Sequence, residues 1–260
     1  MSKHYDGYFI DLDGTIYQGT TQFPSGQRFI ERLKQTDADY LFVTNNSTKT
    51  PDEVARNLTE NHDIPTTPDR IYTSAMAVAD YLADLPDVKR ILVIGEIGLQ
   101  EALLAKGFEL VTEAPADAVT IGLDRHITYE KLVQATLAIQ QGAHFVATNA
   151  DTNLPNERGM LPGAGALIAA LQTAVHKAPV IVGKPETLIM SGALTRTKLT
   201  AEQVIMVGDY YQTDIKAGLN AGIDTLLVYS GVSTKAEVHE KPANEQPTYE
   251  VDSLDDWQFN

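Results

Sequence analysis

Short apolar runs rich in β-branched and aromatic residues alternate with helix-like stretches along the whole sequence. The runs cover residues 8–12, 40–44, 90–94, 118–123, 144–148, 180–182, 204–207 and 225–228. Strands that alternate with helices in this way predict βαβ units, in which the strands form a mostly parallel sheet. A chain of 260 residues has room for two domains of ordinary size. We therefore expect an α/β protein with two domains.

Helix start signals stand at the head of several of the intervening stretches. Thr50 can accept a hydrogen bond at the beginning of one helix, and Glu53 completes a capping box with it. Ser25 and Thr128 precede two further helix-like stretches, and Gly142 marks the end of the second one. These signals predict helices that begin next to residues 25, 50 and 128.

The charge balance excludes several classes of partner. Asp and Glu outnumber Lys and Arg by 35 to 20, and the formal net charge is −15. Because such a field repels polyanions and anionic lipid, we expect neither nucleic acid nor a membrane as a partner. The absence of cysteine excludes a disulfide scaffold and thiolate catalysis. With no signal-peptide pattern and no apolar span of membrane length, we predict a cytoplasmic protein, and we expect the polar tail from 234 to 260 to run over its surface.

The first candidate site lies where a buried strand runs into Asp11, Leu12, Asp13 and Gly14. Because side chains alternate along a strand, Asp11 and Asp13 are predicted to share one side while Leu12 points into the core. The carboxyl end of a parallel strand is where α/β proteins bind ligands. Two carboxylates this close repel each other unless a cation or a shared proton compensates them. A cation site is the simpler interpretation, and an acidic turn is the alternative.

Two later segments carry polar side chains that suit an anion. Thr44, Asn45 and Asn46 follow the second apolar run, where hydroxyl, amide and backbone N–H groups can bind an anionic oxygen. Lys184 follows a short apolar strand and precedes a helix, a position at which positive charge favours phosphate. Each segment has an ordinary alternative, namely a polar loop for the first and a solvated surface lysine for the second.

Asp209 and Asp214 form a second acidic pair at the end of a predicted strand. Residues 210–213 lie between them, so the two side chains can converge only if this segment forms a turn. Carboxylate oxygens on a loop suit Mg²⁺. The alternative is that Thr213 or Asp214 caps the helix that follows.

Taken together, the four segments resemble the haloacid dehalogenase superfamily of aspartate-nucleophile phosphohydrolases. DLDGT is similar to the first motif of that superfamily, VTNNS to the second, GKP to the third and GDYYQTD to the fourth. Within the superfamily, the sequence looks most like the NagD-like 4-nitrophenylphosphatase branch. This resemblance implies a Rossmann-like, doubly wound parallel sheet core with an inserted α/β cap of the C2 type. Because the stretch from Thr44 to Lys184 is too long for a simple crossover, we place the core at residues 1–78 and 181–260 and the cap at 79–180.

The resemblance also implies a role for each motif residue. Asp11 is expected to be the nucleophile that forms an aspartyl-phosphate, and Asp13 the general acid and base. Mg²⁺ is the expected cofactor, bound by Asp11, the backbone carbonyl of Asp13 and Asp209, with Asp214 in the outer shell. The residues expected to hold the phosphoryl oxygens are Thr44, Asn45, Asn46 and Lys184. The candidate substrate contacts in the cap are Asn149, Asp151 and Arg158. An ordinary turn explains each of these residues equally well.

The resulting prediction is a Mg²⁺-dependent phosphomonoester hydrolase for a small phosphorylated metabolite, such as a sugar phosphate or a nucleoside monophosphate, with p-nitrophenyl phosphate as an assay substrate. One alternative is a phospho-accepting signalling module, although an acid two residues after the nucleophile favours hydrolysis over storage. A catalytically degenerate binding protein is another, although all four motifs hold competent side chains. Caps in related proteins often contribute to dimer contacts, which leaves a homodimer open.

Overall fold

The computed structural model describes residues 3–156 and 158–259, with only the backbone described at residues 155 and 156. The strands are β1 (Gly7–Ile10), β2 (Tyr17–Gln18), β3 (Thr21–Gln22), β4 (Asp39–Thr44), β5 (Ile71–Thr73), β6 (Arg90–Ile94), β7 (Glu109–Val111), β8 (Ala118–Ile121), β9 (His144–Ala147), β10 (Asn153–Asn156), β11 (Gly159–Pro162), β12 (Val180–Ile181), β13 (Val204–Gly208), β14 (Asp224–Val228) and β15 (Tyr249–Val251). The α-helices are α1 (Pro24–Leu33), α2 (Pro51–Asn61), α3 (Ser74–Ala83), α4 (Ile97–Ala105), α5 (Tyr129–Gln140), α6 (Ala164–Val175), α7 (Thr187–Thr197), α8 (Lys216–Ala221) and α9 (Lys235–His239). In the described part of the chain, none of these helices has the length and apolar content needed to cross a bilayer.

The chain divides into two compact units. The first unit consists of Met1–Thr44, Asp52–Tyr72 and Lys184–Asn260, and the second unit of Asn45–Pro51 and Thr73–Gly183. The first unit is therefore assembled from three separate stretches of sequence, and the long stretch Thr73–Gly183 belongs to the second unit. The cap boundaries predicted at residues 79 and 180 stay a prediction.

The first unit is built on a six-stranded sheet in the order β15-β14-β13-β1-β4-β5. The pairings from β15 through to β4 are all parallel. From β1 the chain proceeds to β4 and β5 on one side, and β13, β14 and β15 follow on the other, so the strand order reverses beside β1. Ligands of α/β sheets bind at the carboxyl ends of the strands next to such a reversal. The predicted doubly wound parallel sheet is confirmed. Its topology indicates that a ligand site lies at the residues that follow β1.

Apolar side chains from both faces of this sheet form the core of the first unit. Every residue of β1 is buried, as are all residues of β4 except the first. Burial on both faces is the usual state of strands in a parallel sheet. Helix α1 buries Phe29, Ile30 and Leu33, which lie on one face at helical spacing. Close packing of this kind fixes the backbone at the strand ends and with it the side chains that follow.

The second unit contains a five-stranded parallel sheet in the order β12-β9-β8-β6-β7. Strands β10 and β11 form a separate antiparallel hairpin. Ala135 and Ile139 from α5, together with Ile168 and Leu171 from α6, pack with the strands into a core of their own. The second unit is therefore an α/β body with an independent hydrophobic core.

The helix start signals have mixed outcomes. Helix α5 begins after Thr128, whose side chain accepts a backbone N–H of the first turn, and α2 begins directly after Thr50. The prediction of a cap at Ser25 is wrong, because α1 begins at Pro24 with Phe23 in the capping position. Proline suits the first helical position because its fixed φ is already helical and its missing N–H would have no partner there.

Most of the described residues in the stretch 234–259 are exposed, in line with the prediction, but parts of this stretch are built into the first unit. Strand β15 adds a parallel strand to the sheet beside β14, and the side chains of Val238, Leu254 and Trp257 are buried. The three-residue strands β5, β7 and β15 lie outside the predicted runs, because so few residues show no alternation of polar and apolar side chains.

Candidate active site

Asp11 and Asp13 follow directly from the buried strand β1. The Asp11 N–H donates to the carbonyl oxygen of Val207 at 2.9 Å, which extends the sheet contact by one residue. Leu12 is buried, as predicted, and Asp11 is only 7% exposed, whereas Asp13 is exposed. Gly14 then takes a φ of 91°, a left-handed conformation that glycine adopts without penalty. The strand end thus presents two carboxyl groups in different environments, one buried and one in contact with solvent.

Three buried carboxylates form a cluster at this edge of the sheet. They belong to Asp11 after β1, Asp209 after β13 and Asp214 in the π-type helical turn Tyr211–Ile215. One oxygen from each side chain lies within 4.8 Å of the oxygens from the other two. The turn folds back because the N–H of Asp214 donates to the carbonyl oxygen of Tyr210 at 2.8 Å. The structure therefore brings together the acidic residues that the sequence places on two separate motifs.

The ammonium group of Lys184 lies between two of these carboxylates. Its Nζ donates to Oδ1 of Asp11 at 2.6 Å, to Oδ1 of Asp214 at 2.8 Å and to the carbonyl oxygen of Val43 at 2.9 Å. With 1% of its surface exposed, Lys184 is not the solvated lysine considered as an alternative. Burial disfavours the charged form, but Asp11 and Asp214 outweigh burial and raise the pKa of Lys184 above its usual value. The lysine is therefore a buried cation.

Asp209 is held by two hydrogen bonds from different parts of the chain. The hydroxyl of Thr15 donates to Oδ1 at 3.0 Å, and the backbone N–H of Val232 donates to Oδ2 at 2.9 Å. Burial, followed by the charge of Asp214, raises the pKa of Asp209 to about 7 despite these bonds. Without a cation the carboxyl group is therefore only partly ionised near neutral pH. A bound cation would favour its ionised form.

The cluster carries more negative charge than Lys184 can neutralise. Burial raises the pKa of Asp11 well above its usual value; Lys184 opposes this shift, while Asp214 and Asp209 add to it. Three carboxylates face one ammonium group, so full ionisation leaves an excess of two negative charges in a buried place. A divalent cation with a preference for hard oxygen ligands would balance that excess. The residues present therefore fit a Mg²⁺ ion.

Glycines leave the space that the carboxylates occupy. A Cβ atom on Gly14 would lie 2.4 Å from Oδ2 of Asp209, and one on Gly231 would lie 1.9 Å from the same atom. On Gly208 it would lie 2.3 Å from Cβ of Asp214. All three distances are shorter than a van der Waals contact, so any larger residue would displace a carboxylate of the cluster.

The second motif is shared between the two units. Thr44 ends β4 in the first unit and is buried, whereas Asn45 and Asn46 belong to the second unit. The N–H and the hydroxyl of Thr48 both donate to Oδ1 of Asn46 at 2.9 Å. Asn46 therefore has the side-chain contacts of a polar turn, which was the ordinary alternative for this segment.

Within the second unit, Asn149 and Asp151 contact Asn45. The Nδ2 of Asn149 donates to the carbonyl oxygen of Asn45 at 2.9 Å, and the hydroxyl of Ser74 donates to the same oxygen at 2.6 Å. The Nδ2 of Asn45 donates to Oδ2 of Asp151 at 3.1 Å, and the Asp151 N–H donates to Oδ1 of Asn149 at 3.1 Å. These contacts fix the backbone of Asn45, which is a role that the sequence analysis did not assign to either residue.

Arg158 is exposed between β10 and β11, next to residue 157, which lies outside the described residues.

The hydroxyl of Thr15 donates to Oδ1 of Asp209 and lies 3.3 Å from Oδ2 of Asp11. Its place inside DLDGT was a signal for this role. The N–H of Val232 had no such signal, because every residue other than proline carries a backbone N–H.

The reversal of strand order beside β1 and the acidic cluster at that point define a hydrolase of the haloacid dehalogenase type. Two family models support this assignment. The haloacid dehalogenase-like hydrolase model matches residues 8–109, and a second model, described as HAD-hydrolase-like, matches residues 181–257. The chain belongs to the haloacid dehalogenase-like hydrolases.

Named relatives define its class of reaction. An acid sugar phosphatase of Staphylococcus haemolyticus is 45% identical over 252 residues, which cover 97% of this chain and 95% of the relative. The 5'-nucleotidase YutF of Bacillus subtilis is 46% identical over 255 residues, or 98% of each chain. Both names describe enzymes that remove phosphate from small molecules, and both are consistent with the NagD-like branch. The chain is therefore an enzyme of the phosphatase class.

Solved structures of relatives share the whole fold. A thermostable NPPase from Geobacillus stearothermophilus, solved as a double mutant, has a TM-score of 0.92 and 48% identity, with all of both chains covered. The glycerol phosphate phosphatase Rv1692 of Mycobacterium tuberculosis, solved in complex with magnesium, has a TM-score of 0.90 and 35% identity, covering 96% of this chain and 76% of that one. The predicted α/β fold class is confirmed by these likenesses.

Proposed function

We propose that the chain is a Mg²⁺-dependent phosphomonoester hydrolase that acts on a small phosphorylated metabolite through an aspartyl-phosphate. One observation carries the proposal. Asp11 lies at the end of a central strand among buried carboxylates whose charge the single lysine only partly compensates. That pattern suits a divalent cation with an anionic substrate beside it. The names of the relatives support the reaction class, and the magnesium complex of one of them supports the metal.

Asp11 supplies the nucleophile. Its Oδ1 accepts a hydrogen bond from Lys184, and its Oδ2 lies 3.3 Å from the hydroxyl oxygen of Thr15, so the carboxylate is held in a defined orientation. One oxygen attacks phosphorus, and a new O–P bond forms as the P–O bond to the leaving alcohol breaks. Water then attacks the same phosphorus, which releases inorganic phosphate and restores the carboxylate. Two displacements replace a single difficult one.

Asp13 acts as the general acid and base. It donates a proton to the leaving oxygen in the first step and removes a proton from the attacking water in the second. Asp13 is exposed, whereas Asp11 two residues earlier is buried. The exposed group can exchange protons with solvent between the two steps, and the buried one cannot do so readily.

Asp11, Asp209 and the backbone carbonyl of Asp13 are the groups that would hold Mg²⁺, with Asp214 orienting its water ligands. When bound, the ion stabilises the negative charge of the phosphoryl oxygens in the transition state. Thr15 contacts both Asp11 and Asp209 and keeps these two carboxylates side by side. Its hydroxyl thereby preorganises the cluster before any cation or substrate arrives.

The groups proposed to hold the phosphoryl oxygens are Thr44, the backbone of Asn45, Asn46 and Lys184. Lys184 already donates three hydrogen bonds, which is the full number its ammonium group can make. Its first role is therefore to compensate the negative charge of Asp11 and Asp214. A direct bond from Lys184 to a phosphoryl oxygen requires that one of the three present partners be exchanged.

The substrate class follows from the chemistry and from the names of the relatives. Those names include a sugar phosphatase, a 5'-nucleotidase and a glycerol phosphate phosphatase, so we propose a small phosphate monoester rather than one particular metabolite. Asn149, Asp151 and Arg158 remain the proposed substrate contacts of the second unit. Because Asn149 and Asp151 already bind Asn45, we expect substitution of either residue to disturb the backbone of Asn45 as well as any substrate contact.

Turnover of a panel of phosphomonoesters, with Mg²⁺ and with chelator, tests the proposal. The unmodified protein should require the metal, and Asp11→Asn should lower kcat by at least about a thousandfold while the thermal transition stays in place. Asp6→Asn is the matched control, since Asp6 precedes the same strand but is exposed; its activity should be unchanged. Near-normal rates in Asp11→Asn, or cleavage that chelator leaves intact, would refute the proposed mechanism.

The lifetime of the phosphorylated protein separates a hydrolase from a phospho-accepting signalling module. A phosphoenzyme that turns over as fast as product forms supports hydrolysis, whereas one that persists for minutes after substrate is removed supports a switch. The homodimer is a further prediction, and light scattering of the purified protein decides it.

A further inference from the structure

The segment after Asp13 folds into a short hairpin of β2 and β3 that holds Asp13 from two sides. Tyr17 in β2 forms an isolated bridge with Asp13, and the N–H of Gly14 donates to the carbonyl oxygen of Tyr17 at 2.7 Å. At the tip of the hairpin, the N–H of Gly19 lies 3.5 Å from Oδ1 of Asp13. The hairpin therefore lies against the backbone of Asp13 and beside its carboxyl group.

The hairpin contacts the end of helix α2 at His62 and Asp63. The ring of Tyr17 stacks on the imidazole of His62, with centroids 4.2 Å apart and planes inclined by 11°. The Nε2 of Gln22 in β3 donates to the carbonyl oxygen of His62 at 2.8 Å and to Oδ2 of Asp63 at 3.1 Å. Because an isolated two-stranded hairpin is at best marginally stable, these contacts decide where it lies.

His62 is a rigid support for this purpose. It directly follows α2 and is 1% exposed. The end of the helix is closed by the N–H of Ile64, which donates to the carbonyl oxygen of Leu58 at 2.9 Å. Burial raises the pKa of Tyr17 well above its usual value, with Asp13 as the next contributor, so the phenol stays neutral and lies within range of the Asp13 charge. The exposed Asp13 is thus tied to a buried anchor through Tyr17.

We propose that His62 is a positioning residue for the proton donor: by stacking on Tyr17, it holds the hairpin in the place that aligns Asp13 with the leaving oxygen. The inference rests on the proposed function, in which Asp13 is the general acid. In this proposal, His62 acts on Asp13 through Tyr17 rather than by contact with the substrate or the acidic cluster. Its effect should therefore appear only in steps that need proton transfer.

The leaving group supplies the test. Phenyl phosphate and p-nitrophenyl phosphate have similar size, but phenolate is the more basic leaving group and depends more on a proton donor. His62→Ala should lower kcat/KM for phenyl phosphate about tenfold more than kcat/KM for p-nitrophenyl phosphate. His62→Phe keeps a flat ring against Tyr17 and should restore most of that difference. Gln22→Ala cuts the second attachment without opening the core and should shift the same ratio in the same direction by a smaller factor.

Two reference variants make each result decisive. Val54→Ala removes buried volume from the other end of α2 and should lower thermal stability without changing the ratio between the two substrates. Asp13→Asn should change that ratio more than any other variant. If Asp13→Asn slows both substrates equally, the proposed acid role fails and this inference fails with it. If Asp13→Asn behaves as expected but His62→Ala and Gln22→Ala slow both substrates equally or not at all, only the role of His62 is overturned.

Discussion

The Nζ atom of Lys184 lies 2.6 Å from Oδ1 of Asp11 and 2.8 Å from Oδ1 of Asp214. Removing two such charges from water costs free energy that their attraction repays only with good geometry. Because the carboxylates around Lys184 outnumber it, the lysine compensates negative charge that would otherwise be buried without a cation.

Replacement of Lys184 by Met should destabilise the metal-free protein by roughly 3–5 kcal/mol, because it leaves buried carboxylates without their cation. Urea unfolding in chelator at pH 8 measures the loss. Lys106→Met is the matched control: Lys106 pairs with Asp80 at the short distance of 2.6 Å, but the two side chains are 45% and 37% exposed, so its loss should stay within about 1 kcal/mol. Equal losses for the two variants would show that burial of the Lys184 pair has no energetic consequence.

Metal-free protein should lose stability as the pH rises toward neutral. Asp209 has a pKa of about 7 in the folded protein, above its value in an unfolded chain of about 3.9. Between about pH 3.9 and pH 7 the folded state therefore keeps a proton on Asp209 that the unfolded chain has lost. The stability that this proton contributes is complete below about pH 3.9 and is lost as the pH rises through about 7. Melting temperatures in chelator between pH 5 and 8 should fall more steeply for the unmodified protein than for Asp209→Asn. Added Mg²⁺ should reverse the fall at pH 8, and parallel curves would contradict the assignment.

Gly14→Ala should damage the site through a contact rather than through backbone strain. Its Cβ would lie 2.4 Å from Oδ2 of Asp209, and a displaced ligand of this kind can cost about a hundredfold in rate. Gly107→Ala is the control, since Gly107 has a similar φ of 86° but no atom within 4 Å of the added Cβ. It should lose about 1–2 kcal/mol of stability and keep its kcat. If the two variants have equal activity, then Asp209 moves aside without consequence.

Asn149→Ala should loosen the backbone of Asn45. The substitution removes a donor to the Asn45 carbonyl oxygen and an acceptor of the Asp151 N–H, at a cost of about 1 kcal/mol for each lost hydrogen bond. If the Asn45 backbone helps to hold phosphate, the inhibition constant of inorganic phosphate should rise in the same variant. Asn153→Ala, an exposed position of the same unit, should change neither quantity. A stability loss with unchanged phosphate affinity would restrict Asn149 to a structural role.

The strands and the acidic motifs were accessible to sequence reasoning because they depend on local patterns. Buried strands such as β1 and β13 are long enough to show their apolar character, and Asp11 and Asp209 each stand one residue beyond them. Strand β15 was missed because its three residues carry no readable period. Ser25 has the polar side chain of a capping residue, but α1 begins one residue earlier, at Pro24.

The amino-acid sequence by itself determined which chemical groups stand at the ends of which strands, since strand alternation and turn residues act over a few neighbouring positions. Only the tertiary structure decided that Lys184 lies between Asp11 and Asp214, that Thr15 joins Asp11 to Asp209 and that His62 stacks on Tyr17. These contacts join residues that are distant in the chain or lie on different elements, and strand order brings them together. Burial then sets their charges, because the same carboxyl group titrates differently in water and among buried neighbours.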